Sequence, residues 1–116
     1  MTARMTKTIV KSIGILIVIC AMGFLSTCEY VSNKGNSAYK QVAVGDTLQT
    51  VRTRFDMPYA TQSANVGFPG YTAEGCKPGC AQRIWFVNRW SLTGEAWSVD
   101  FDGSERVMGK YHWMSP

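Results

Sequence analysis

Cysteine is the most reactive residue type in this chain, and the four cysteines lie in different sequence contexts. Cys20 lies inside an apolar run, Cys28 comes shortly after that run, and Cys76 and Cys80 are four positions apart. The residues between the last two, 77–79, are Lys, Pro and Gly, and Pro followed by Gly suits the centre of a type II turn. Because such a turn brings its flanking residues together, the spacing predicts a local disulfide that pins a loop.

Redox exchange and zinc binding are the other chemistries open to Cys76 and Cys80. Redox motifs of the thioredoxin kind have two intervening residues, whereas this pair has three. A structural zinc site takes four ligands, and His112 is the only histidine in the chain. The sequence therefore favours a structural bridge and predicts neither a metal nor a cofactor.

The remaining reactive side chains form no recognisable catalytic arrangement. Asp100 and Asp102 share one face of a predicted strand, but they have no nearby histidine in the pattern and are expected to face solvent. His112 is likewise expected to be an exposed strand residue. Nucleophile-elbow and phosphate-loop motifs are missing from the sequence. We therefore expect a protein that is not an enzyme.

The first 28 residues resemble a bacterial lipoprotein signal. Three basic residues and no acidic one precede the apolar run Ile13–Leu25, as in a secretory signal peptide. In lipoproteins the cysteine at the end of this run is lipidated and becomes the first mature residue, which implies lipidation at Cys28 and a signal over residues 1–27. Thr27 replaces the usual small residue. The alternative is an uncleaved membrane anchor, although the run is short against the ~20 residues that span a bilayer.

Either interpretation places the chain after Cys28 outside the cytoplasm, because positive charges stay inside. Glu29 is not the Asp that tends to retain enteric lipoproteins at the inner membrane. The resemblance therefore implies an outer-membrane anchor with the domain facing the periplasm, the alternative being an inner-membrane anchor on the same side. Such a compartment is oxidising, which favours the disulfide.

Charge argues against nucleic-acid binding. The whole chain has a net charge of +4, but residues 1–27 carry three of its 12 basic residues and none of its eight acidic ones. The mature part therefore holds nine basic and eight acidic residues, a net charge of +1. Its 89 residues (116 less 27) are enough for one small domain.

After the signal, composition and periodicity predict a tether and then two short helices. Residues 28–40 are rich in Ser, Asn, Gly and Lys and are expected to form a flexible tether. A first helix of one or two turns is predicted near 39–45, stopped by Gly45. A second helix is predicted to begin at Asp46 or Thr47 and to end before Pro58. The apolar residues on one of its faces are Leu48, Val51 and Phe55.

The last third of the chain predicts a three-stranded antiparallel meander, over residues 82–90, 95–102 and 105–113, so the fold class is α+β. Residues 59–81 are expected to form a long loop with room for a short strand. Trp97, Val99 and Phe101 alternate with polar or small residues and should face the helices. The opposite sheet face is expected to be open to solvent.

That open face is the predicted interaction surface. On the first strand, Ile84, Phe86 and Trp90 are assigned inward, and the outward set is Arg83, Trp85, Val87 and Arg89, joined by Arg106, Met108 and Lys110. An exposed Trp between arginines is typical of an interaction hot spot, so Arg83, Trp85 and Arg89 are the predicted partner-binding residues. The alternative is a reversed register in which Trp85 and Val87 are core, because a slip of one residue exchanges the faces.

The region after residue 41 resembles the BamE family, also called SmpA/OmlA. The matching residues are Val44-Gly45-Asp46-Thr47, Val51 and Phe55-Asp56-Met57-Pro58, with Trp97 to Gly103 similar to the family's second strand and turn. The family's Gly stands as Asp56 here, which tolerates a left-handed helix stop. The Cys76–Cys80 loop is outside the family pattern.

The resemblance implies a lipoprotein signal, a BamE-like ααβββ domain over 41–116, and an accessory or scaffolding role. The implied partners are the membrane, through the lipid on Cys28, and an envelope protein complex such as the β-barrel assembly machinery. The alternative is a small envelope stress lipoprotein similar to OsmE, and a third possibility is a redox protein using Cys76 and Cys80.

Overall fold

The computed structural model describes residues 2–63, 71–72 and 76–114. Its elements are α1 (Thr2–Gln41), α2 (Leu48–Phe55), β1 (Tyr59–Ser63), β2 (Gln82–Asn88), β3 (Glu95–Phe101) and β4 (Val107–Met114). The strands form one antiparallel sheet in the order β1-β2-β3-β4. The α+β class and the meander of the last three strands are therefore confirmed.

The sheet has a fourth strand, so the prediction of three strands is wrong. β1 pairs with β2 from Tyr59 opposite Phe86 to Ser63 opposite Gln82. Its sequence, YATQS, has no apolar alternation, and four of its five residues are exposed. An edge strand of this kind is held by backbone pairing rather than by a buried face, so hydrophobic periodicity could not reveal it.

The predicted flexible tether is also wrong, because α1 continues through residues 29–41 as regular helix. This part of the helix lies on the sheet with Gly35 and Ala38 buried against it, and Val42 buried just beyond its end. The Trp97 indole donates a hydrogen bond of 3.1 Å from Nε1 to Oδ1 of Asn36. Small polar residues suggested a linker, but here they allow the helix backbone to come close to a large ring.

Gly35 is the closest point of that approach. A Cβ at this position would lie 2.2 Å from Cη2 of Trp97, well inside contact distance. We expect Gly35→Ala to lower the free energy of unfolding by about 1–3 kcal/mol, the usual cost of overpacking, despite the better helix propensity of Ala. Gly103→Ala is the control, because this glycine lies in the turn between β3 and β4, nothing lies within 4 Å of a Cβ there, and its φ is not positive. Denaturant titration of both variants in detergent measures the difference, and equal stability would show that α1 does not dock here.

The second helix follows its prediction. Thr47 is the N-cap, and its hydroxyl accepts a hydrogen bond of 3.2 Å from the amide of Thr50. Val51 and Phe55 are fully buried on the predicted face. Asp56 ends the helix in the left-handed conformation, with φ of 45°, which confirms the prediction that an aspartate here tolerates a left-handed helix stop.

The first predicted helix is misplaced. α1 ends at Gln41, and residues 42–45 form a turn in place of a helix. Gly45, at φ of 92°, donates its amide to the carbonyl of Val107 at 2.9 Å, and Val107 in turn donates to the carbonyl of Asp46 at 2.9 Å. This backbone pairing ties the connection between the helices to the start of β4.

The core lies between the helices and one face of the sheet. Ile84, Phe86, Trp97, Val99 and Phe101 all point into it, as predicted, and each is at most 1% exposed. The rings of Phe55 and Phe86 stack with centroids 4.0 Å apart. Trp90 was assigned to this face wrongly, since it lies in the turn after β2 and is 45% exposed.

The opposite face of the sheet is not open. Ala96, Ser98 and Asp100 on β3 are all buried. On β4 the register shifts next to Phe101, so Tyr111 lies opposite Ser98 on this second face, and Lys110 lies opposite Val99 on the helix side. The shift explains why Lys110 was assigned to the wrong face: strict alternation fails across a bulge.

Candidate functional site

Cys28 lies on α1 where the apolar run meets the folded domain. The residue is half-buried, and its backbone carbonyl accepts a hydrogen bond of 3.3 Å from Nδ2 of Asn88 at the end of β2. Asn88 is 2% exposed, and Nδ2 also donates to Oε1 of Glu95 at 3.2 Å. The carbonyl belongs to residue 28 itself, so this link is available whether or not the chain is cleaved before Cys28.

The helix before Cys28 has the character of a membrane segment. Among the described residues, α1 contains an apolar window long enough to cross a membrane, and none of that window is buried against the rest of the chain. Helices of this kind near the N-terminus include both signal sequences and anchors. The structure is therefore compatible with either role, and residue 28 marks the boundary in both.

The predicted partner-binding residues do not form an exposed surface. Trp85 is fully buried and Arg83 is 6% exposed, whereas Arg89 is exposed in the turn beyond β2. Arg83 and Trp85 do project to the face away from the helices, as predicted. Their burial arises because that face carries its own covering layer, so the open interaction surface inferred from the sequence is wrong.

Arg83 lies at the centre of that second layer. Its Nε and Nη2 donate to the carboxylate of Asp100 at 2.5 and 3.1 Å. The guanidinium carbon lies 5.3–5.8 Å from the ring centroids of Trp85, Tyr111 and Trp113. A buried guanidinium is stabilised by cation–π contacts and by an ion pair with two hydrogen bonds. The cluster around Arg83 therefore stabilises the fold and is not a docking site.

Further side chains complete the cover over Trp85. Its Nε1 donates to Oε1 of Gln62 on β1 at 2.9 Å, and its ring lies 5.7 Å from that of Tyr71 and 5.6 Å from that of Trp113. Burial, with the negative charge of Glu95 as a smaller cause, raises the pKa of the Tyr71 hydroxyl above its ordinary value. Tyr71 comes from the long segment before β2, which carried no periodic pattern.

The disulfide predicted between Cys76 and Cys80 is present, with Cα atoms 6.0 Å apart. Its loop lies against β4, where Lys77 is placed over the ring of Tyr111 at 5.9 Å. The two sulfurs and the Asp100 carboxylate lie within 4.8 Å of one another. With the sulfurs bonded to each other and Asp100 paired with Arg83, the three are not free to hold a metal.

His112 is part of a polar cluster at the end of the sheet near Cys28. Its Nε2 lies 3.0 Å from Oε2 of Glu95, and its ring stacks on Trp97 with centroids 5.5 Å apart. Glu95 is 7% exposed and also binds Asn88. His112 is exposed, as predicted, with its side chain about one-third exposed. The cluster ties β2, β3 and β4 together beside residue 28.

A shallow groove of about 710 Å³ lies at the junction of α2 and β1. It is lined by Gln49, Arg52, Thr53, Asp56, Met57, Pro58 and Tyr59. The Arg52 guanidinium lies over the ring of Tyr59 at 4.7 Å. Most of the Phe55–Pro58 segment that resembles the BamE motif lines this groove.

Two positions that matter structurally were missed from the sequence. Gly35 lies in the predicted tether, and no role was predicted for Asn88. A glycine three residues before a buried alanine, Ala38, is a pattern that could have indicated close helix packing. For Asn88 the sequence offered no such pattern, because its partners, Cys28 and Glu95, are distant or on another strand.

Comparison of the chain with protein-family models, with curated proteins and with solved structures finds no significant match. The likeness to the BamE family therefore depends on the motif residues alone.

Proposed function

We propose that this protein is a lipoprotein of the bacterial outer membrane, anchored through lipid on Cys28, whose periplasmic domain is a non-enzymatic accessory or scaffold subunit of an envelope protein complex. The observation that carries the proposal is the position of Cys28. It lies between a helix whose apolar window is not buried against the domain and a helical segment docked on the sheet. A lipid at this residue would hold the domain directly at the membrane surface.

The arrangement of charged groups supports a scaffolding role over an enzymatic one. Arg83 is paired with Asp100, and Glu95 with Asn88 and His112. Among the described residues, no buried side-chain nitrogen or oxygen lacks a hydrogen-bond partner. Groups that are fully used in holding strands together are poorly placed to act as an acid, a base or a nucleophile.

The BamE-like motif supports β-barrel assembly as the process served. The exposed groove between α2 and β1, which contains the motif residues Asp56, Met57 and Pro58, is a surface available to a partner. Crosslinking and capture of the full chain from membranes tests this. We expect components of the β-barrel assembly machinery to be recovered, and fewer of them from an Arg52→Glu variant than from an Arg106→Glu variant. Arg106 is the control because it is exposed and pairs with Thr47 at the start of α2, outside the groove.

Two other results would contradict the assembly role. Recovery of cell-wall components alone would favour the OsmE-like alternative. Thiol titration of the purified protein addresses the redox alternative: we expect Cys76 and Cys80 to remain fully oxidised, whereas a mixed and exchangeable population would support redox turnover.

A further inference from the structure

The loop between β2 and β3, residues 89–94, carries unusual exposed apolar surface. Trp90 is 45% exposed and Leu92 is 84% exposed. Met114, which is 59% exposed, lies at the same end of the sheet, because it pairs with Glu95 at the start of β3. Large apolar side chains grouped at one end of a small domain mark a contact with another apolar phase.

The position of this end relative to α1 identifies that phase. The ring of Trp90 lies 5.6 Å from the ring of Phe24, which belongs to the apolar run. Asn88, two residues before Trp90, binds the carbonyl of Cys28 and also accepts a hydrogen bond of 3.1 Å from the Trp90 amide. Before cleavage the loop is therefore held beside the last turns of the apolar run. After cleavage the hydrogen bond from Asn88 to the Cys28 carbonyl still holds it beside the lipid-bearing residue.

The opposite end of the sheet has a different character. The turn between β3 and β4 is polar, and Asp102 accepts hydrogen bonds from Ser104 and from the amide of Arg106. Hydrogen bonding to Ser104, then to Arg106, lowers the pKa of Asp102. The large exposed apolar side chains Trp90, Leu92 and Met114 are thus at the end of the sheet near Cys28, whereas the turn at the other end is polar. This distribution is expected of a domain whose Cys28 end faces a bilayer.

We propose that the 89–94 loop inserts into the interfacial layer of the same bilayer, with Trp90 and Leu92 in contact with lipid and exposed Arg89 near the headgroup phosphates. Trp is favoured at this depth because its ring is apolar and its N–H can still be hydrated. The loop would act as a second, non-covalent anchor that fixes the orientation of the domain. The inference uses the proposed function only in placing residue 28 at the membrane.

Fluorescence quenching tests the insertion. The protein extracted from membranes, with the N-terminus and modification it carries there, is reconstituted into phosphatidylcholine vesicles in which part of the lipid carries bromine near the headgroup end of its acyl chains. Trp85 and Trp97 are buried, so we expect most of the quenching to arise from Trp90. Trp90→Phe should reduce the quenched fraction at least twofold, whereas Trp113→Phe should leave most of it.

A second pair of variants does not depend on removing the fluorophore. Leu92→Asp should reduce quenching at least twofold, and Val44→Asp, at the other end of the sheet and 77% exposed, should not change it. Flotation of the vesicles measures membrane association separately. Association with equal quenching in the wild type and Trp90→Phe would overturn the insertion and leave the lipid anchor standing, whereas failure to associate would contradict the anchor itself.

Discussion

Replacing Asp100 with Ala is expected to lower the free energy of unfolding by about 3–5 kcal/mol, because it leaves a buried guanidinium without its counter-charge. The Arg83 side chain is 7% exposed and that of Asp100 is 3% exposed, and two hydrogen bonds join them. The sequence alone predicted the reverse, a small effect at a solvent-facing carboxylate. The expectation changes because aromatic side chains cover Arg83 and Asp100 on the second face of the sheet.

A double variant separates the loss of the ion pair from damage to the fold. Arg83→Met combined with Asp100→Leu removes both charges and retains apolar volume, so it should recover much of the stability lost by Asp100→Ala alone. Denaturant titration of the full chain in mild detergent measures all three proteins. If Asp100→Ala proved as stable as the wild type, Arg83 would have to reach solvent, and the second face would not be closed.

The other large effect is expected at Trp85. Trp85→Ala should cost about 3–5 kcal/mol of unfolding free energy, as truncation of a buried aromatic does. The ring is fully buried and contacts Tyr71 and Trp113, and its N–H is bonded to Gln62. The matched control is Trp90→Ala, which removes the same side chain from an exposed turn and should cost no more than about 1 kcal/mol.

This comparison tests whether the side of β2 that carries Trp85 is buried. A larger loss at position 85 than at position 90 makes Trp85 a core residue and leaves the sheet's second face without a partner-binding role. Equal losses at the two positions, or a larger loss at position 90, would contradict the burial of Trp85 and restore the open face as a binding surface.

The parts of the fold that were predictable are those with a regular period and a single buried face. Val51 and Phe55 on α2, and Trp97, Val99 and Phe101 on β3, occupy the positions their spacing indicates. These side chains are large and apolar, their neighbours along the chain are polar or small, and the period alone assigns their direction.

The parts that were not predictable depend on contacts between distant segments. Burial of Trp85 requires a cover that comes partly from Tyr71 and Gln62, in segments without periodicity. The helix through residues 29–41 is stabilised where Gly35 meets Trp97, 62 positions away in sequence. Polar composition indicated solvent exposure in both cases, and tertiary packing overrode it.

Mass spectrometry of the membrane-extracted protein tests the central claim most directly, because it reads the N-terminus and its modification together. We predict a mature chain that begins at Cys28 and carries acyl groups on that residue. Cys28→Ala should abolish incorporation of a fatty-acid probe and leave an uncleaved or mislocalised precursor. Recovery of an unmodified chain that retains residues 1–27, with probe incorporation unchanged in Cys28→Ala, would contradict the lipid anchor.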